Sequence, residues 1–222
     1  MKKKTLLIDL DGTLLGSKPR AARWRFIVYL LAYFLFKGLN PIPRIKAVKG
    51  FRAQLESGFA NKKGTSNFHF LVSEYSQATK LPIAAAETEL RAALNYVFAK
   101  MRPAFFGKPE SLVFLEWAIG RFNLVLATNP AWPLEIVKTR LDWGQIDPKA
   151  FSFISHAENM SYCKPNPNYY RELLTQINIP AEECLMIGDD RRKDLPAQEA
   201  NIEVYIISDE NCGFADLKER LT

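Results

Sequence analysis

Short apolar runs, each ending in a polar or acidic cluster, occur once at the start of the chain and repeatedly along its second half. They predict strands at 5–8, 124–127, 151–155, 184–187 and 204–207. Between them, apolar positions three and four apart predict helices at 110–119, 134–141, 168–176 and 195–200. Strands that read apolar throughout and alternate with helices indicate a doubly wound, mostly parallel α/β sheet covered on both faces. The stretch 17–103 breaks this rhythm. It has good helix formers at 83–101 and helical patterns at 44–57 and 66–79. The chain is therefore expected to divide into an α/β core, 1–16 and 104–222, and an inserted all-helical segment, 17–103.

One part of the insertion shows no polar face: every residue from Phe26 to Phe36 is apolar or aromatic, with Arg20, Arg23, Arg25 and Lys37 flanking it. At the helical rise this run spans about 16 Å, roughly half the hydrocarbon thickness of a bilayer. That is too short to cross. A helix apolar all round is expected to be buried, inside the insertion or at a subunit contact. Contact with a membrane surface or a lipid-like substrate is the competing reading, which basic flanks and aromatic residues suit.

The candidate chemistry sits where the strands end. Leu6-Leu7-Ile8 runs into Asp9-Leu10-Asp11-Gly12-Thr13, which delivers two carboxylates to one strand end with a glycine for the turn. The second strand ends at Thr128-Asn129, and Thr128 offers a hydroxyl to an anionic oxygen. Lys164 stands in Cys163-Lys164-Pro165-Asn166-Pro167, a single cation among prolines ahead of a helix. The strand 184–187 ends in Gly188-Asp189-Asp190, with Asp194 beyond. Each feature alone has an ordinary alternative: a calcium loop or solvated turn, a helix cap, a solvated lysine, an acidic helix start. Their joint appearance at strand ends does not.

In order and spacing these four segments resemble the motifs of the haloacid dehalogenase superfamily of hydrolases, over 1–16 and roughly 104–222. The resemblance implies a Rossmann-like core and makes 17–103 a helical cap that closes over the site. It also implies Asp9 as nucleophile, forming an aspartyl-phosphate, and Asp11 as general acid and then base. Thr128, Asn129 and Lys164 would hold the phosphoryl group. Mg2+ would be held by Asp9, Asp11 through its backbone carbonyl, and Asp189, with Asp190 or Asp194 direct or through water. Cleavage of a carbon–halogen bond would need neither Asp11 nor the metal, so the acids favour phosphoryl transfer. The expected activity is a magnesium-dependent phosphomonoester hydrolase for a small phosphorylated metabolite. A phosphomutase, a membrane-associated phosphatase and a binding protein without turnover are the competing readings.

Composition changes this picture little. With 48% hydrophobic and 24% charged residues, the 222-residue chain can build a core and a smaller accessory unit. Only 5–8 separates Met1-Lys2-Lys3-Lys4 from the first acid, too few residues for an export leader. Cys163, Cys184 and Cys212 show no paired or metal spacing, which points to free thiols and a cytoplasmic setting. The net charge of +6 is scattered and accompanies no nucleic-acid motif, so it argues for attracting phosphorylated metabolites rather than nucleic acid. A monomer and a homodimer are both compatible with the sequence. His156 has no visible partner and reads as an ordinary loop residue, and His69 reads as packed or solvated.

Overall fold

The computed structural model describes residues 3–57, 64–207 and 213–222, so Cys212 lies outside the described residues. A five-stranded parallel sheet is built from β1 (Thr5–Ile8), β4 (Asn123–Leu126), β5 (Phe153–Ile154), β6 (Cys184–Gly188) and β7 (Glu203–Ile206). Its order is β5-β4-β1-β6-β7, with β1 at the centre in register Leu6 to Leu124 and Leu6 to Leu185. Alternation along each strand divides the core. Leu6, Ile8, Leu124, Leu126, Leu185 and Ile187 face one side, toward α5 (Pro109–Ala118), α6 (Leu134–Trp143) and α9 (Phe214–Leu221). Leu7, Val125 and Met186 face the other, against Tyr169, Tyr170 and Leu173 of α7 (Pro167–Ile177).

The expected strand 151–155 shrinks to two residues. Its ladder nonetheless continues, since Ser152 and Ser155 donate backbone N–H groups to Leu124 and Leu126 at 2.8 and 2.9 Å. The expected helix 195–200 is instead a 3-10 segment, Leu195–Ala200, entered from a single α-turn, α8 (Arg191–Asp194). Pro196 has no N–H to continue an α-helix. An antiparallel ribbon of β2 (Leu15–Ser17) and β3 (Phe105–Gly107) was not expected. Its strands carry only three residues each, too few for a periodic signal.

Four helices lie between the two ribbon strands: α1 (Pro19–Phe36), α2 (Pro41–Glu56), α3 (Asn67–Thr79) and α4 (Ile83–Met101). Prolines at the first turn start α1 and α2, while Asn40 and Ser66 cap α2 and α3 through their side-chain oxygens. α1 corrects the expectation of burial all round. It buries Phe26, Leu30 and Phe34, four apart, and leaves Trp24, Leu31, Leu35 and Phe36 exposed. Among the described residues no helix is long and apolar enough to cross a membrane.

The helical segment is tied to the core away from the ribbon. Arg91 of α4 pairs with Glu87 on its own helix and reaches Glu135 and Glu158 of the core. At the start of α3, the Asn67 and Phe68 N–H groups donate to Met160 and Ala157 carbonyls at 2.8 and 2.6 Å. The Asn67 side-chain amide lies 3.2 Å from the Cys163 sulfur and 3.4 Å from the carbonyls of Pro130 and Tyr162. These first N–H groups of a helix have no partner within it, so the core supplies their acceptors.

Candidate active site

The carboxyl ends of β1, β4 and β6 form the crevice in which ligands of open α/β sheets bind. Asp9 remains in the ladder, its N–H donating to Ile187 at 2.9 Å, so the sheet fixes its position. Beyond it the chain folds tightly, with the N–H groups of Leu14 and Leu15 both on the Leu10 carbonyl. Gly12 sits in this turn at φ +92°, and a Cβ there would fall 2.0 Å from an Asp189 carboxylate oxygen. The turn therefore needs glycine twice, for its backbone angle and for the space Asp189 fills. Thr13 donates to the other Asp189 oxygen at 3.1 Å.

Lys164 is fully buried, and its ammonium lies between Asp9 at 2.9 Å and Asp194 at 2.7 Å. Burial opposes its charge, but Asp194 and Asp9 outweigh that and hold it well above the ordinary lysine value. Asp9 is pushed up to about 6. Burial is the main cause, Lys164 opposes it, and Asp194 and Asp189 add to it. Asp189 is also raised, first by burial, against the Thr13 hydrogen bond. Gly188 gives Asp194 its room, since a Cβ there would lie 2.0 Å from an Asp194 oxygen.

Thr128 and Asn129 follow β4 at the level where that strand passes Asp9. The Thr128 carbonyl accepts from Ser155 at 2.7 Å and Tyr169 at 3.0 Å, which fixes the backbone. Its hydroxyl, and the Asn129 side-chain oxygen, are buried without a hydrogen-bond partner. Buried polar atoms of this kind are costly unless something completes them.

The acids do not all point to one place. Asp190 caps α8, accepting from the N–H groups of Arg192 and Lys193, and pairs with the Lys193 ammonium at 2.9 Å. Those bonds hold its carboxyl below the ordinary value despite some burial. Asp11 is half exposed and contacts Arg140 of α6. Arg140 was not anticipated. It is buried, and burial lowers its guanidinium to about 10, with the charge of Asp9 working against that shift. The available signal was a charge among Ile136, Val137 and Leu141, on the face of the helix that turns inward. His156 pairs with Glu158 at 3.2 Å and His69 is exposed.

The donor set suits a small, hard cation. Asp9 and Asp194 share one buried cation, Lys164, while Asp189 accepts a hydrogen bond from Thr13, and all three offer oxygen donors. Among the described residues no three acidic, histidine or cysteine side chains close into a metal cage. Magnesium does not require one, since it binds one or two carboxylates and keeps several waters.

Comparison with known proteins gives a consistent set of relatives. A family model for haloacid dehalogenase-like hydrolases matches residues 3–200. A phosphoglycolate phosphatase from Colwellia psychrerythraea is 26% identical over 209 residues, which are 91% of this chain and 83% of the relative. A 2-haloacid dehalogenase structure from Pseudomonas syringae pv. Tomato superposes with a TM-score of 0.64 at 19% identity, over 100% of this chain and 98% of that one. A haloacid dehalogenase-family enzyme from Bacteroides thetaiotaomicron, solved with magnesium and inorganic phosphate, gives 0.58 at 16% identity over 94% and 96%. At these identities the two structures share the fold.

Proposed function

The chain belongs to the haloacid dehalogenase-like hydrolases, and on that premise we propose that it is a magnesium-dependent phosphomonoester hydrolase that forms an aspartyl-phosphate on Asp9. The observation that carries this reading is the buried, unpartnered Thr128 hydroxyl at the strand end beside the Asp9–Lys164 pair. A nucleophile, a cation and a free donor together suit a phosphoryl group. The phosphatase among the relatives and the magnesium- and phosphate-bound structure support it.

In this reading an Asp9 oxygen attacks phosphorus and the bond to the ester oxygen breaks, while Asp11 gives that oxygen its proton. Asp11 then takes a proton from water as the water oxygen attacks phosphorus, which breaks the bond to Asp9 and releases phosphate. Lys164, Thr128 and the Asn129 amide hold the phosphoryl oxygens, and Arg140 keeps Asp11 directed into the crevice. Asp9, the Asp11 carbonyl and Asp189 would hold magnesium. When bound, it supplies positive charge against the phosphoryl oxygens. Asp194 acts by holding Lys164, and Asp190 by capping α8, so any contact of theirs with the cation would run through water.

We assign 17–103 as the cap and 1–16 with 104–222 as the core, the β2–β3 ribbon being the link. Closure of the cap would exclude bulk water from the crevice while the phosphoryl group passes to Asp9. The buried free thiols of Cys163 and Cys184 suit a cytoplasmic setting. A second reading, contact with a membrane surface, is favoured by Trp24, Leu35 and Phe36 of α1, which are 64%, 59% and 91% exposed, with Lys37 directly after Phe36. Sedimentation with anionic and with neutral vesicles tests it; no binding to either sinks it.

The test of the main reading is phosphate release from a panel of phosphomonoesters by wild type and Asp9→Asn protein, with magnesium and with chelator. Magnesium-dependent release that the variant loses is expected. Folded protein that releases no phosphate but interconverts phosphate isomers would point to a mutase. Neither activity would point to a binding protein.

A further inference from the structure

The crevice continues past Asp11 into a cavity of about 580 Å³ between the core and α1, α2 and α4. That lies within the range of roughly 300–1,000 Å³ that takes drug-sized ligands, well beyond the needs of a two-carbon alcohol. Two features of its wall are unusual together. One side is aromatic: Phe26, Phe98 and Trp132 line it with ring centroids 5.3–6.2 Å apart. The other is cationic, with Arg20 and Arg23 from α1, Arg52 from α2, Arg140 from α6, and Lys193.

Among the described residues Asp11 is the sole carboxylate on this wall, and Arg140 already pairs with it. Lys193 pairs with Asp190. Arg52 lies over the Phe26 ring at 5.5 Å, which joins the cationic and aromatic sides. Arg20 and Arg23 have no acidic partner among the described residues. The transferring phosphoryl group is provided for at Lys164 and Thr128, so Arg20 and Arg23 are surplus to it. Arg20 and Arg23 are exposed, so solvent carries their charge until an anion enters the cavity, and the guanidinium fork suits carboxylate or phosphate.

We propose that the leaving group of the substrate has a flat, apolar body bearing a second anionic group. The body lies against Phe26, Phe98 and Trp132, and the anion is received by Arg20 and Arg23. This inference rests on the hydrolase reading above and deepens it.

A matched pair of esters tests it: 4-(carboxymethyl)phenyl phosphate and its neutral carboxamide, similar in size and in leaving-group chemistry. At 0.15 M salt, kcat/KM should favour the acid by at least about tenfold, the worth of one charge-assisted contact. In the Arg20→Gln/Arg23→Gln double variant this preference should fall toward unity. Calorimetry of both esters with Asp9→Asn protein reads the same preference without turnover. Equal kcat/KM and equal affinity for acid and amide would overturn the inference, as would a preference unchanged in the double variant. Preferential binding of the acid with no phosphate release from wild type would instead support the inference and overturn the hydrolase reading.

Discussion

The core and the helical segment both bury charge, but they place it differently. In the core, Lys164 and Arg140 are buried cations aimed at site carboxylates, and the Thr128 hydroxyl and the Asn129 side-chain oxygen lack partners. In the helical segment the buried cation is Arg44, and its partners are structural. It bonds Glu89 at 2.6 Å, Tyr75 donates to the same carboxylate at 2.6 Å, and the guanidinium lies over the Phe34 ring. One arrangement is complete as it stands, while the other has acceptors and donors left over. Charge that is satisfied holds helices together, and charge with polar atoms to spare marks where a ligand belongs.

Replacing Lys164 should break this comparison most severely. Lys164→Met leaves Asp9 and Asp194 buried against each other, so turnover should fall at least about a thousandfold and stability by about 3–5 kcal/mol in urea unfolding. Turnover near that of wild type would remove Lys164 from the proposed mechanism. Next in size, Asp189→Asn should weaken the apparent magnesium affinity about 10–100-fold, whereas Asp190→Asn, which loses only a cap and a surface pair, should change it little. Equal losses in a magnesium titration would mean that the ligands are wrongly assigned.

Gly12→Ala should cost about 3 kcal/mol, because the new Cβ meets Asp189 and the backbone angle resists it. Gly120→Ala is the control. It has a similar positive φ but open space around it, so about 1 kcal/mol is expected, and thermal melts of the pair separate crowding from backbone strain. Between those two in size lies a change in the helical segment. Glu89→Gln should destabilise by about 2 kcal/mol at neutral pH. Burial alone would raise the Glu89 carboxyl, but the Arg44 and Tyr75 hydrogen bonds bring it below its ordinary value. A depressed folded-state value gives stability that is complete above the unfolded value and lost as pH falls through the folded one. Wild type should therefore lose stability on the acid side more steeply than the glutamine variant, and parallel curves of stability against pH would disprove this.

The same contrast explains what the sequence could reveal. The parallel strands are legible because each is a short apolar run that leads to a polar strand end, and Asp9, Lys164 and Asp194 meet because the sheet order brings those ends together. Arg140 is not legible. A charge within an amphipathic helix reads as solvated until its face is known. Nor could the run Phe26 to Phe36 declare a face, since a helix with every position apolar has no period to read. Packing chose Phe26, Leu30 and Phe34 for the inside. The ribbon and the arginines of the cavity depend on contacts across long sequence separations, which local pattern does not encode.

The Asn67 amide gives the molecule a built-in clock. It rests on the Cys163 sulfur, one residue before Lys164, where burial keeps the thiol protonated and inert. Whenever the start of α3 lifts from the loops beneath it, that thiol meets solvent. The rate at which Cys163 reacts with an alkylating reagent, followed peptide by peptide, would therefore count departures of the start of α3 from those loops, and a ligand that bridges the two halves would slow the count.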